Sequence, residues 1–212
     1  LSPSERDEWY EMRGAAPRRL EWLLGRTTAK EAVRRHLAVR KGDKWAAADI
    51  TIWPDDSGKP HPLGPWRGER TGSLDLTIAH TASLVIAAVA ENARLGIDIE
   101  RMGRDLSEEF TRGVFTIEEQ ELATRYSDPP SAMLRFWCAK EAVSKALGTG
   151  IRYSPTDLRI RTADPLSGIL EMELLGQWLD PFPVFKGKRI PVKIGFFANH
   201  AVAACILPGM GN

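Results

Sequence analysis

The stretch that most restricts how this chain can fold is Gly96-Ile97-Asp98-Ile99-Glu100. A β-branched run bounded by a glycine reads as a strand. On a strand, Asp98 and Glu100 are two apart and project from the same face. The element before it, Leu84-Val85-Ile86-Ala87-Ala88-Val89-Ala90, is apolar throughout. Both strands therefore belong near a core, where unpaired carboxylates are costly. Two carboxylates about 4 Å apart repel by roughly 4 kcal/mol at an effective dielectric of about 20. A fold that keeps them must bring positive charge to that face. A divalent cation would serve, since paired Asp and Glu oxygens are the usual ligands of hard cations.

Further along, Trp137-Cys138-Ala139-Lys140-Glu141-Ala142-Val143-Ser144-Lys145 reads as a helix, with Trp137, Glu141 and Lys145 on one stripe at i, i+4 and i+8. A third carboxylate and an ammonium can thus face the strand pair together. Taken singly, a Glu–Lys pair at i, i+4 is the ordinary mark of a solvated helix face, and a lone Asp-x-Glu that of a solvent-facing strand. The apolar surroundings of both stretches weigh against those plainer readings.

The two strings in this order, with Ala79-His80-Thr81 upstream, resemble the signature of the phosphopantetheinyl transferases, specifically the larger Sfp-type enzymes. The resemblance covers Gly58 to Ile151 well, the helix around Leu23 to Leu37 moderately, and both ends poorly. It implies an α+β fold: a pseudo-dimer of two similar halves, residues 1–96 and 97–212, each a long helix packed on an antiparallel sheet. The metal site would lie in the second half and the active site at the interface. The activity implied is transfer of the 4′-phosphopantetheine arm of coenzyme A to a serine of an acyl or peptidyl carrier protein, releasing 3′,5′-adenosine bisphosphate. Asp98, Glu100 and Glu141 would hold Mg²⁺. Lys145 and His80 would stabilise developing phosphate charge, and Glu141, directly or through a water, is the candidate base for the serine proton. Coenzyme A contacts are expected from Arg19, Arg26, Lys59, His80, Thr81, Lys140 and Lys145. One departure from the family pattern is Ala79, where many relatives carry serine. The missing hydroxyl contact would have to come from Thr77, Thr81 or the backbone.

Two rival classes stand beside this reading: a catalytically weak carrier-protein-binding module, and a Mg²⁺-dependent coenzyme A phosphohydrolase. The intact carboxylate triad argues against the first. Neither a Walker loop nor a Rossmann glycine fingerprint is present.

Taken in order, residues 5–16 read as a short helix or an ordered lead-in. Pro17 opens a helix whose apolar face runs through Leu20, Leu23, Leu24, Ala29, Val33 and Leu37. Gly25 in its middle hints at close packing. Arg19, Arg26 and Lys30 share a side that is either a basic solvated face or, on the resemblance, an approach for the nucleotide end of coenzyme A. Residues 49–53 alternate as a strand, Asp55 to Pro60 form a turn, and 61–72 read as a surface loop. His80, at the end of the 74–81 strand, is on chemistry alone more often a structural histidine than a phosphate donor, and the resemblance reverses that order. Thr116 followed by Glu119 is a capping box. Pro129 and Pro130 open a helix to Leu147 with Gly148 as its C-cap. Residues 157–162, 168–175, 192–197 and 200–206 follow as an antiparallel meander, with turns at 164–165, 181–188 and 199–200. No residue-level repeat relates the two halves.

A net charge of +1 gives no reason to expect nucleic acid or an anionic membrane surface as partner. Local clustering has to supply any docking charge, and Lys186-Gly187-Lys188-Arg189 is the densest basic group of the second half. It is either a solvated hairpin tip or a steering patch for an acidic carrier protein, with Phe110, Phe115 and Met133 as apolar alternatives. Cys138 and Cys205 lack metal-site spacing, and Cys138 reads as a small buried residue in a reducing compartment. With no secretory signal at Leu1-Ser2-Pro3-Ser4, a cytoplasmic protein is expected. The missing initiator methionine suggests a piece excised from a megasynthase such as a polyketide synthase.

Overall fold

The computed structural model describes residues 1–42, 44–68 and 73–209. The chain divides into two compact units, Leu1–Leu95 with Pro208–Asn212, and Gly96–Leu207. Among the described residues, no helix is long and apolar enough to cross a membrane.

In the first unit, helix α1 (Pro3–Glu11) begins two residues earlier than expected. Ser2 caps it, Pro3 takes a position that needs no N–H, and Glu5 closes a capping box back onto Ser2. Helix α2 (Ala16–Lys41) ends at Gly42, whose left-handed φ of 71° lets the chain leave the helix. Ala29, Val33 and Leu37 are buried against Ile50, Ile52, Trp66 and Leu76, whereas Leu20 and Leu24 of the same stripe stay exposed. Gly25 sits 3.9 Å (from its would-be Cβ) from the Ile78 side chain, in line with close packing there. The sheet of this unit is two separate antiparallel hairpins: β1 (Thr51–Pro54) with β2 (Pro60–Leu63), and β3 (Leu74–His80) with β4 (Val85–Glu91). The loop expected over 61–72 is thus corrected at its start. Pro60 and Pro62 are tolerated because β2 is an edge strand, where a missing N–H leaves no ladder bond unmade. Residues 69–72 lie outside the described residues.

Strand β5 (Ala93–Arg101) leads into the second unit. Helices α3 (Glu108–Val114), α4 (Ile117–Ala123) and α5 (Pro129–Leu147) follow, then β6 (Leu158–Asp164), β7 (Ile169–Leu174), β8 (Ile190–Phe197) and β9 (His200–Pro208). The last four form the expected antiparallel meander, and β5 joins beside β9, giving the order β5-β9-β8-β7-β6. Helix α5 buries Phe136, Ala139, Val143 and Ala146 in the core of this unit. Its C-cap is Gly148, at φ 78°. The 181–188 connection is more ordered than a turn: it contains a 3-10 turn at Pro183–Phe185, after another at Gly176–Leu179 that buries Trp178.

The two units share a repeat that contradicts the expectation of none. Ala29-Lys30-Glu31-Ala32-Val33 on α2 recurs as Ala139-Lys140-Glu141-Ala142-Val143 on α5. Around each pentapeptide the same arrangement is built. Lys30 and Lys140 are buried and ion-paired with buried Glu5 and Glu119, respectively. Each glutamate is the N3 residue of a capping box on the preceding short helix. Each also accepts the backbone N–H of a strand isoleucine, Ile52 at 2.9 Å and Ile160 at 2.8 Å. Each lysine donates to a backbone carbonyl in or beside a 3-10 turn, Lys30 to Ala47 at 3.1 Å and Lys140 to Pro155 at 2.9 Å. The elements run in parallel too: a short capped helix, a long helix, a 3-10 turn and four strands.

Candidate active site

The second unit brings Asp98, Glu100, Glu141 and Lys145 together. Strand β5 can approach α5 only because residue 96 is glycine: a Cβ there would lie 1.9 Å from the Ala142 carbonyl oxygen and 2.4 Å from the Ala146 nitrogen. That close approach sets Asp98 and Glu100 against the helix stripe that carries Glu141 and Lys145. Lys145 Nζ donates to Asp98 Oδ1 at 2.7 Å. Asp98 is 7% exposed, and its Oδ2 is buried without a hydrogen-bond partner of its own. Glu100 accepts from Arg104 at 3.2 Å and from the Trp137 side chain.

The electrostatics record the crowding. Burial first, then the Asp98 charge, raises the Glu100 carboxyl above its ordinary value, partly offset by Arg104 and Trp137. Glu141 is pushed up to about 7, by burial first and then by Asp98 and Glu100, against the pull of Lys145. Burial and the Asp98 charge also raise the Cys138 thiol, so this buried free cysteine is an inert neighbour of the site.

Among the described residues, no group of three or more His, Cys, Asp or Glu side chains is arranged, as it stands, to hold a metal ion. Lys145 holds Asp98, and Arg104 donates to Glu100. The donor set nevertheless fits a hard divalent cation. It is all oxygen, the Asp98 charge raises the proton affinity of both Glu100 and Glu141, and one of its oxygens is buried and unsatisfied.

The other residues expected at the site fall as follows. Lys140, expected on a phosphate, is corrected. Its side chain is fully buried, and its ammonium donates to the Val114 carbonyl at 2.8 Å, Glu119 at 3.0 Å and the Pro155 carbonyl at 2.9 Å. An ammonium has three N–H donors, and these bonds use all of them. Burial lowers its proton affinity, while Glu119 acts to restore it. Glu119, legible in the sequence as a cap, was missed as this lysine's counter-ion. Arg104, the cation beside Glu100, was missed as well; its place four residues on was the available signal.

In the first unit, His80 is exposed at the end of β3, opposite Val85. Thr81 Oγ1 accepts from the Ser83 N–H at 3.4 Å, and Thr77 is buried. Lys59 is ion-paired to Asp75 at 2.7 Å, with both side chains largely enclosed. Arg19 stacks over Trp9 at 4.4 Å and Arg26 over Trp22 at 5.0 Å, each with a buried Nε that lacks a hydrogen-bond partner. Lys30 does not share an exposed face with them, because it is buried on Glu5.

The profile of the 4′-phosphopantetheinyl transferase superfamily matches residues 94–205, and the chain belongs to that superfamily. A holo-[acyl-carrier-protein] synthase of Clostridium tetani is 30% identical over 124 residues, which cover 54% of this chain and 94% of that protein. A holo-[acyl-carrier-protein] synthase of Cereibacter sphaeroides is 39% identical over 82 residues, 37% of this chain and 60% of that protein. The chain thus spans less than two thirds of the Cereibacter synthase's length. The crystal structure of a holo-[acyl-carrier-protein] synthase from Neisseria meningitidis aligns over 53% of this chain and 95% of its own, with 24% identity and a TM-score of 0.42.

Proposed function

We propose that this protein transfers the 4′-phosphopantetheine arm of coenzyme A to a serine hydroxyl of an acyl or peptidyl carrier protein. The observation that carries this reading is the cluster of Asp98, Glu100, Glu141 and Lys145 on β5 and α5, within the span matched by the family profile. Holo-[acyl-carrier-protein] synthases are among its relatives. In the reaction the serine Oγ attacks the β-phosphorus of the coenzyme A pyrophosphate. The P–O bond to the nucleotide breaks, and 3′,5′-adenosine bisphosphate leaves. Glu141, directly or through a water, is the base for the serine proton. Lys145 offers its ammonium to the charge developing on the phosphates. Asp98, Glu100 and Glu141 would hold Mg²⁺, which when bound neutralises the pyrophosphate charge.

The Sfp-type assignment rests on length. The Clostridium synthase is matched over nearly all of its length by about half of this chain, and the pentapeptide recurs once in each unit. Two buried free cysteines fit a cytoplasmic setting.

The test is intact-mass analysis of apo carrier proteins incubated with the protein, coenzyme A and Mg²⁺. A gain of the mass of the arm on the carrier is the expected result, lost in Asp98→Ala and in Glu141→Ala. Cleavage of coenzyme A with no gain on any carrier would make the protein a phosphohydrolase instead.

A further inference from the structure

Helix α5 carries both Glu141 and Lys145, so its rotation about its own axis decides where the two point. Much of the face it sets in the core is short: Ala139, Ala142 and Ala146 are fully buried, with Val143 between them. A methyl group interlocks little with its neighbours, so such a face holds rotation less firmly than long interdigitated side chains do. Side-chain tips lie about 5–6 Å from a helix axis, so a turn of about 10° moves one by about 1 Å. A misplacement of that size costs on the order of 100-fold in rate.

Directional bonds supply what the alanines lack. Lys140 stands one residue before Glu141, about 100° round the helix. Its ammonium reaches three separate elements: the Val114 carbonyl at the end of α3, Glu119 of α4, and the Pro155 carbonyl ahead of β6. Glu119 is itself fixed, accepting from the Thr116 N–H and the Ile160 N–H, each at 2.8 Å. Both side chains of the pair are wholly buried. A buried pair of this kind adds little stability over apolar residues of the same volume, and its best-attested use is to fix register. Lys30 and Glu5 repeat the arrangement in a unit that contains neither Asp98 nor Glu100.

We propose that Lys140 and Glu119 are positioning residues, which through the rotation of α5 aim Lys145 and Glu141 at Asp98 and Glu100. In the resting chain the mark of that aim is the Lys145–Asp98 bond of 2.7 Å. The consequence for the reaction rests on the proposed function.

The test replaces both charges at once in the full chain, Lys140→Met with Glu119→Gln. No buried charge is then left without a partner, and the glutamine oxygen can still accept from Ile160. The internal control is the same exchange in the first unit, Lys30→Met with Glu5→Gln. Proton–nitrogen NMR of lysine ammoniums reads the Lys145–Asp98 bond directly, because a hydrogen-bonded ammonium exchanges its protons slowly enough to be seen. Lys145→Arg assigns the signal by removing it. That signal is expected to vanish in the α5 variant and to persist in the α2 control, although both melt at lower temperature than the wild type. Single-turnover transfer at saturating coenzyme A should fall about 100-fold in the first and stay within about twofold in the second. If the α5 variant does not fold, Glu119→Asp, which keeps both charges and shortens the reach by one methylene, should show the same losses. A signal retained in the folded variant, or lost equally in the control, would overturn the positioning role, and so would a lost signal with an unchanged rate. A wild type that modifies no carrier would sink the proposed function, and the ammonium signal would still decide whether Lys140 and Glu119 set α5.

Discussion

Lys145 and Glu141 are one helical turn apart and do opposite electrostatic work. Lys145 is bonded to Asp98 in the resting chain and is proposed to act on charge that develops during transfer. Lys145→Ala is therefore expected to lower the single-turnover rate by about 100-fold or more, with a far smaller effect on coenzyme A affinity. Rapid-quench kinetics beside calorimetry separate the two, and equal losses would make Lys145 a ground-state phosphate anchor. Glu141 predicts a pH effect on stability. Its folded value of about 7 lies above the ordinary 4.5, so between those values the folded chain holds a proton that the unfolded chain has lost. Stability should therefore fall as pH rises from about 5 to 7 and level off above. At about 1.4 kcal/mol per unit the ceiling is about 3 kcal/mol, which solvent access to the carboxylate reduces to about 1 kcal/mol. Denaturant melts of the wild type minus those of Glu141→Gln should show this slope, and Mg²⁺ should flatten it. A difference curve that is level from pH 5 to 7 would remove the crowded-carboxylate account.

At the scale of elements, β5 and α5 are held in register by a contact that only glycine allows. Gly96→Ala sets a methyl against the α5 backbone, which cannot yield as a side-chain tip can. A loss of about 2–3 kcal/mol is expected, with transfer activity falling further than the folded fraction, because β5 carries Asp98 and Glu100. Chemical denaturation and carrier modification by the same variant check both halves of the statement, and wild-type stability would show that β5 can slide. The Lys140–Glu119 pair belongs to this scale too. It anchors α5 to α4 and β6 and does not contact a substrate.

For the whole molecule, the open matter is how an acidic carrier protein would find the site. Phe115 and Met133, expected as apolar docking residues, are buried and therefore corrected, and Phe110 packs edge-to-face on Trp137 at 5.0 Å. Ile117, 72% exposed at the start of α4, is the large apolar side chain this region presents. Lys186 and Lys188 are exposed, while Arg189 is bonded to Glu173 at 2.6 Å. Reversing the charge of Lys186 and Lys188 together should raise the KM for carrier protein several-fold at low salt and leave that for coenzyme A unchanged. The difference should shrink as ionic strength rises. An unchanged carrier KM at low salt would move the search to Ile117.

The sequence by itself determined the elements whose signals are local. The Pro129 start and Gly148 stop of α5, the Thr116–Glu119 cap, the strand of Asp98 and Glu100, and the stripe of Glu141 and Lys145 each follow from spacing over a few residues. The pentapeptide repeat is equally local, but five matching residues between otherwise unlike halves are a weak signal until the buried Lys–Glu pairs are seen. Only the tertiary structure decided what depends on partners far along the chain. Lys140 is separated from Glu119 by 21 residues, and Lys30 from Ala47 by 17. Whether a lysine on a helix meets solvent, a phosphate or a buried carboxylate depends on which neighbour packs over it, and helical periodicity carries no record of that neighbour. The same holds for Gly96: the sequence marks a glycine before a strand, and only packing shows that the missing Cβ is what lets the carboxylates reach the helix.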